Sequence, residues 1–90
     1  MPIWKLSAVS DRKGIAKHIA KDNPTAAVEI VDLLIKTARA LDANPKMGRT
    51  GRMKGTREAV AHPNYVLVYQ VSDNTVTVLR VLHTSQAWPA

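Results

Sequence analysis

Residues 24–43 restrict the possible folds more than any other segment, because their pattern is that of one long amphipathic helix with both ends marked. Apolar side chains recur there at steps of three and four residues, which is the spacing of one helix face. They are Val28, Val31, Leu34 or Ile35, Ala38 and Leu41. Asn23 is a suitable N-cap, Pro24 suits the first helical position, and Asn44-Pro45 ends the pattern. The sequence therefore predicts a helix from Pro24 to about Ala43.

A shorter helix is predicted immediately before it, from about Ser10 to Lys21. The apolar residues of this segment also have helical spacing: Ile15, Ala16, Ile19 and Ala20. Ser7 or Ser10 is placed to cap its start. Because the break at residues 22–24 is short, the two helices are expected to form a hairpin. Residues 3–7 alternate weakly and predict a short strand ahead of the helices.

The C-terminal half of the chain changes to the alternation typical of β-strands. The three predicted strands are Thr56–Ala61, Tyr65–Val71 and Thr75–Leu82. Their short connections predict an antiparallel meander, and the glycine-containing segment 46–55 is expected to be a loop. The order β-α-α-β-β-β predicts an α+β fold in which a helical hairpin packs on a small, mostly antiparallel sheet. The chain has 90 residues, and residues 1–90 are expected to form one domain.

The last predicted strand carries one charged residue among apolar ones. Regular alternation places one set of side chains on one face and a second set on the other: Val76, Val78, Arg80 and Leu82, against Thr77, Leu79, Val81 and His83. Both faces are largely apolar, so this strand is expected to be central. An unpaired buried guanidinium is very costly. Arg80 therefore either has a structural ion-pair partner or a place at the rim, or it faces a groove and holds an anion.

Basic side chains are concentrated in one short run. The chain has 13 Lys and Arg against 7 Asp and Glu, a formal net charge of +6. Residues 46–57 contain five of the cations and no acidic residue: Lys46, Arg49, Arg52, Lys54 and Arg57. Such a run favours a polyanionic partner through Coulomb attraction and counterion release. The alternative is a solvated basic loop with no specific partner.

Several classes of protein are not supported by the sequence. The chain has no cysteine, so disulfides, thiolate metal sites and a cysteine nucleophile are excluded. Its three histidines do not have metal-ligand spacing, and no nucleotide-binding motif is present, so we expect no metal and no cofactor. Neither a signal peptide nor a membrane-length apolar stretch is found, which predicts a cytoplasmic protein without a membrane partner.

Two titratable residues near the ends of strands have alternative interpretations. Glu58 is the only carboxylate between Lys46 and Ser72, and it is either a salt-bridge partner for a nearby cation or a general base. His83 is expected just past the last strand, where a histidine can exchange protons near neutral pH. The alternative for His83 is an ordinary surface or half-buried side chain.

An ordered set of short motifs resembles a known superfamily along nearly the whole chain. Asn23-Pro24-x-Ala26-Ala27 opens the long helix, and Gly48-Arg49, Gly51-Arg52 and Gly55-Thr56-Arg57-Glu58 follow it. Asn64-Tyr65-Val66-Leu67-Val68-Tyr69, Leu79-Arg80-Val81-Leu82-His83 and Trp88-Pro89 complete the set. This pattern resembles the RelE/ParE superfamily of type II toxin–antitoxin toxins, in particular the RelE/StbE branch. The resemblance implies the β-α-α-β-β-β fold and a small basic toxin that inhibits growth, in modules associated with plasmid stabilisation.

The resemblance implies one of two activities. RelE-like members cleave mRNA in the ribosome, whereas ParE-like members poison DNA gyrase and are not nucleases. For mRNA cleavage, a base removes the 2′-OH proton, cations stabilise the phosphorane charge, and an acid protonates the leaving oxygen. Glu58 or His83 would be base or acid, Arg57 and Arg80 would hold the phosphate, and four cations would bind RNA: Lys46, Arg49, Arg52 and Lys54. The predicted function is a ribosome-dependent mRNA interferase, with gyrase inhibition as the alternative.

The resemblance also implies a protein partner. A cognate antitoxin is expected to cover the toxin with acidic and apolar surface, often as a helix lying across the sheet or the helical hairpin. A net charge of +6 favours fast association with an acidic partner. The antitoxin would also shield apolar surface around Trp4 or Trp88.

Overall fold

The protein has two helices packed on one face of a five-stranded sheet. The computed structural model describes residues 1–88; Pro89, which belongs to the last motif of the resemblance, lies outside the described residues. The elements are β1 (Ile3–Trp4), α1 (Leu6–Ala20), α2 (Pro24–Ala43), β2 (Arg49–Thr50), β3 (Arg57–His62), β4 (Tyr65–Ser72) and β5 (Thr75–His83). The strands are arranged in the order β1-β5-β4-β3-β2. The predicted α+β architecture, with a helical hairpin on a mostly antiparallel sheet, is confirmed.

Helix α2 has the predicted bounds and the predicted cap. The Asn23 side chain accepts a hydrogen bond from the Ala26 N–H at 3.0 Å, and Pro24 occupies the first turn, where its missing N–H is not needed. The side chains that α2 buries recur at helical spacing: Ala27, Leu34, Ala38 and Leu41. Leu34, Ala38 and Leu41 of the predicted apolar face are therefore buried, but Val28 is 61% exposed, and the first buried position of the face is Ala27.

The N-terminal segment differs from the prediction. The strand ends at Trp4 and not at Ser7, and α1 begins at Leu6 and not near Ser10. Strand β1 pairs in parallel with β5 over only two residues, after which the chain enters the helix. Neither predicted serine caps α1: the cap position is Lys5, which makes no side-chain hydrogen bond. Instead, the Ser7 hydroxyl donates to the Leu79 carbonyl at 2.8 Å.

The segment predicted as a loop contains a short edge strand. Strand β2 pairs antiparallel with β3, with Arg49 opposite Glu58 and Thr50 opposite Arg57. The Gly51 N–H donates to the Thr56 carbonyl at 2.8 Å and closes the hairpin. With only two residues, β2 is too short for alternation to reveal it in the sequence.

A β-bulge in β5 changes the predicted distribution of side chains between the two faces. Arg80 pairs with Val68, but the next pair joins Val78 to Tyr69, so Leu79 is an extra residue on β5. Val78 therefore lies on the face that packs against the helices, whereas Arg80 lies on the opposite face. The expectation that Val78 and Arg80 share one face was wrong, because regular alternation contains no bulge.

Each face of the sheet has its own apolar cluster. The helix-packed face and the helices share one buried core, which includes Leu34, Tyr69 and Val81. The opposite face, here called the outer face, carries a smaller cluster of Val66, Val68 and Leu82, against which Trp88 packs. Neither helix in the described residues is long and apolar enough to cross a membrane.

Candidate functional site

Glu58 lies on the outer face and is almost completely buried, with 2% of its surface exposed. Its carboxylate accepts four hydrogen bonds: from the Arg52 N–H at 3.0 Å, from Arg52 Nε at 3.1 Å, from Arg49 Nη2 at 3.2 Å and from Arg52 Nη2 at 3.4 Å. Burial raises the pKa of Glu58, but the hydrogen bonds from Arg52 and Arg49 offset this, and the net pKa lies below the ordinary glutamate value. The structure agrees with the salt-bridge interpretation of Glu58. Its carboxylate is ionised and is enclosed by the two arginines.

Arg80 is likewise engaged in an ion pair. Its Nε and Nη2 donate to the two carboxylate oxygens of Asp11 on α1, at 2.7 and 3.1 Å. The same carboxylate accepts from the Val81 N–H at 3.0 Å. Hydrogen bonding to Asp11 raises the pKa of Arg80 further above its already high value. Because β1 covers only the first part of β5, Asp11 and Ser7 bind backbone groups of β5 beyond it and stabilise that open edge.

The residues after β5 cover part of the outer face. The Arg52 Nη1 donates to the Gln86 carbonyl at 3.4 Å, and Trp88 packs on the outer-face cluster. The guanidinium carbon of Arg80 lies 5.4 Å from the centre of the Trp88 ring, a distance that allows a cation–π interaction. Between this tail and the β2–β3 loop, Lys5, Lys54 and Arg80 line a groove of about 370 Å³.

His83 is the last residue of β5 and lies on the helix-packed side, paired with Tyr65. Its ring is edge-on to the Tyr65 ring, with 5.6 Å between the centres, and its Nδ1 accepts from the Ser85 N–H at 3.1 Å. His83 lines a pocket of about 400 Å³ together with His18 and Asp11. Within residues 1–88, no cluster of His, Asp or Glu is suited to hold a metal ion.

Arg57 occupies the opposite end of the helix-packed side. In β3 it pairs with Tyr69, and its Nη2 donates to the Gly48 carbonyl at 2.6 Å and to the Lys46 carbonyl at 3.1 Å. Arg57 and Lys46 line another cavity, of about 620 Å³. In the described part of the chain Arg57 forms no salt bridge.

The structure does not bring the four predicted catalytic residues into one site. Glu58 and Arg80 lie on the outer face, with Val68 between them in the same cross-strand row, whereas Arg57 and His83 lie on the other side of the sheet. The predicted RNA-binding cations are divided in the same way. Arg49 and Arg52 bind Glu58, Lys46 is beside Arg57, and Lys54 is in the outer groove with Arg80.

Sequence reasoning did not identify Asp11 or Tyr69 as important polar residues. Asp11 follows Ser7 by four residues, so both lie on one side of α1, a spacing that could have indicated a pair facing the same strand edge. Tyr69 is buried, donates to the Pro45 carbonyl at 2.7 Å and accepts from the Gly48 N–H at 3.0 Å. Its apolar strand gave no signal for these contacts with the loop.

Known proteins resemble this chain over almost its whole length. A family model described as the ParE toxin of the type II toxin–antitoxin system parDE matches residues 3–88. A Sinorhizobium fredii protein described as toxin Y4kP is 39% identical, over 96% of this chain and 90% of that protein. Toxin RelE2 of Caulobacter vibrioides is 31% identical, over 93% of this chain and 94% of that protein.

Solved structures share the fold. A chain of the chromosomal ParDE toxin–antitoxin system from P. aeruginosa superposes with a TM-score of 0.79 at 22% identity, over 92% of this chain and 95% of that one. A chain of the RelBE2 toxin–antitoxin complex from Mycobacterium tuberculosis gives 0.64 at 26% identity, over 92% and 99%. The superfamily suggested by the motifs is thereby confirmed, and the chain belongs to the ParE toxin family of type II toxin–antitoxin systems.

Proposed function

We propose that this toxin stops growth by binding and inhibiting DNA gyrase, as ParE-like toxins do, and that it does not cleave RNA. The observation that carries this proposal is the separation of the predicted catalytic residues. Arg57 and His83 are on one side of the sheet, and Glu58 and Arg80 are on the other. The match of residues 3–88 to the ParE toxin family supports the same target.

RNA cleavage needs an acid, a base and a phosphate clamp around one phosphorus atom. Proton transfer requires each group to come within hydrogen-bond reach of its proton, about 2.6–3.2 Å between heavy atoms. Glu58 is enclosed by two arginines, which makes it a poor general base, and Arg80 is bound to Asp11. His83 is exposed, but neither Glu58 nor Arg80 lies on its side of the sheet.

A second candidate is the mRNA interferase predicted from the sequence. It is favoured by the 31% identity to Toxin RelE2 and by the groove that Lys5, Lys54 and Arg80 line beside Trp88. Cations beside an aromatic ring are a combination that binds single-stranded nucleic acid. In this case RNA would lie on the outer face, and Arg80 would exchange Asp11 for a phosphate.

An acidic antitoxin in the cytoplasm is the expected partner in both cases. The net charge of +6 favours such a partner, and the similar P. aeruginosa and M. tuberculosis chains come from toxin–antitoxin systems. A short acidic reading frame next to the toxin gene would be its source.

The two activities are separated by inducing the toxin and examining RNA and DNA from the same cells. Gyrase inhibition predicts intact mRNA by primer extension and an accumulation of gyrase–DNA cleavage complexes. The His83→Ala variant replaces an exposed side chain and should remain toxic. The control variant Lys36→Ala, at an exposed position of α2, should also remain toxic. Cuts inside codons, together with loss of toxicity in His83→Ala alone, would refute gyrase inhibition and favour the interferase.

A further inference from the structure

The cavity beside Arg57 has a lining that is suited to an anion. It has a volume of about 620 Å³ and lies where the end of α2, β2 and the start of β3 meet. Lys46 and Arg57 supply two cations, and no carboxylate is among its lining residues within 1–88. Glu58 and Asp73 are sequence neighbours of lining residues but do not line the cavity. The cavity is therefore a local concentration of positive charge.

The guanidinium of Arg57 is held in place while part of its hydrogen-bonding capacity is unused. Nη2 donates to the carbonyls of Gly48 and Lys46, which fixes the orientation of the group. Nε is buried and has no acceptor among the described residues, a situation that is costly for a buried donor. The loop that supplies the carbonyls is itself fixed by the hydroxyl of Tyr69. Nη1 also has no acceptor among the described residues and, unlike Nε, is not a buried atom, so a ligand oxygen in the cavity would meet an oriented cation with this donor unused.

A carboxylate fits this cavity better than a nucleic-acid backbone does. A phosphodiester chain needs a track of cations, but Arg49 and Arg52 in the same basic run are bound to Glu58 on the other side of the sheet. Apolar surface also lines the cavity, from Pro45 and from Val71, which is 39% exposed. One cation pair with adjacent apolar surface suits an acidic peptide side chain and its apolar neighbour.

We propose that this cavity binds an acidic side chain of the antitoxin, with Arg57 and Lys46 holding the carboxylate and Val71 contacting an adjacent apolar residue. The proposal rests on the antitoxin partner of the preceding section, and it concerns the location and chemistry of one contact. Charge complementarity supports the choice of occupant, because the toxin has a net charge of +6 and none of the described residues that line the cavity is negatively charged.

The test is titration calorimetry of the full-length toxin with its cognate antitoxin at low and at high salt. Arg57→Lys keeps the charge but loses the planar donor array, and we expect affinity to fall roughly ten- to a hundredfold. Lys46→Ala removes an exposed cation without any described side-chain contact, so it leaves the fold intact and should weaken binding about two- to fivefold. Lys36→Ala, exposed on α2 away from the cavity, is the matched control and should bind as the wild type does. Circular dichroism establishes that each variant is folded.

Three outcomes are distinguishable. Failure of the wild-type toxin to bind the antitoxin would refute the proposed partner itself. If Arg57→Lys and Lys46→Ala both bind the antitoxin as tightly as wild type does, the cavity proposal is overturned. The proposal that the antitoxin is the partner would be unaffected. The same variants are titrated with a short single-stranded RNA. If they lose RNA affinity and keep antitoxin affinity, the cavity serves nucleic acid and the proposal is wrong.

Discussion

Replacing Glu58 by Gln should destabilise the protein strongly, although the two side chains have almost the same shape. The carboxylate is 2% exposed and accepts from four nitrogen donors at 3.0 to 3.4 Å, three from Arg52 and one from Arg49. A glutamine has one acceptor oxygen and must point its NH₂ group at a donor where the carboxylate has its second oxygen. At least one charged hydrogen bond is lost, and at least one N–H is left without an acceptor.

The size of the effect follows from the exposure of the partners. A hydrogen bond to a charged group contributes about 1.5–3 kcal/mol, and breaking a fully buried ion pair costs about 3–5 kcal/mol. The side chains of Arg49 and Arg52 are 65% and 39% exposed, so after the substitution they can turn to water. We therefore expect the free energy of unfolding to fall by about 2–3 kcal/mol at neutral pH. For a domain of this size that lowers the melting temperature by roughly 10–20 °C.

Thermal and urea denaturation, followed by circular dichroism between pH 7 and pH 3, measure both the cost and its pH dependence. The pKa of Glu58 is lowered in the folded state, so its ionised form stabilises the protein fully above the ordinary glutamate pKa. That contribution is lost as the pH falls through the lowered pKa. The difference in unfolding free energy between wild type and Glu58→Gln should therefore become smaller in acid. Glu29→Gln, an exposed glutamate on α2, should behave as wild type. If the Glu58→Gln variant has the same melting temperature as wild type at pH 7, the assignment of Glu58 as a structural anion is refuted.

Four other substitutions test the framework of the fold by urea denaturation. Asp11→Asn breaks the two-point ion pair with the partly exposed Arg80 and should lower the free energy of unfolding by about 1–2 kcal/mol. Gly48→Ala should cost more than about 2 kcal/mol, because a Cβ there would lie 2.7 Å from a β3 carbonyl oxygen and 2.8 Å from a ring carbon of β4. Gly14→Ala, where a Cβ meets nothing within 4 Å, should instead stabilise α1 by roughly 0.5–1 kcal/mol, and an equal effect at both glycines would contradict the packing. Asn23→Ala should cost about 1 kcal/mol through the lost cap, and an unchanged midpoint would show that the cap contributes nothing.

The parts of the fold that were predicted correctly are those determined by local chemistry. Helix α2 has its apolar spacing, its Asn23 cap and its terminal Asn44-Pro45 all within one segment, and its bounds agree with the prediction. The meander was predictable for the same reason, because short turns leave antiparallel pairing as the simple arrangement. Each of these signals lies within a few residues of the structure that it determines.

The parts that were missed depend on contacts between distant segments. The start of α1 is set by where β1 stops pairing with β5, which residues 3–10 do not encode alone. The bulge at Leu79 is visible only in the pairing of β5 with β4. It lets both Val78 and Val81 face the helices, and it directs Arg80 to the outer face.

The basic run illustrates why a count of charges could indicate a kind of partner but not a site. The sequence counts five cations in residues 46–57, yet the hairpin of β2 and β3 brings Glu58 under two of them. Arg49 and Arg52 are therefore engaged in ion pairs with the buried Glu58, and Lys46, Lys54 and Arg57 remain for a partner. These three are divided between the cavity at Arg57 and the groove at Arg80. The two sites share Thr56 in their linings, and a protein partner can place a separate acidic side chain at each. The ion pairs that stabilise the hairpin thus determine which cations of the basic run are left for a partner.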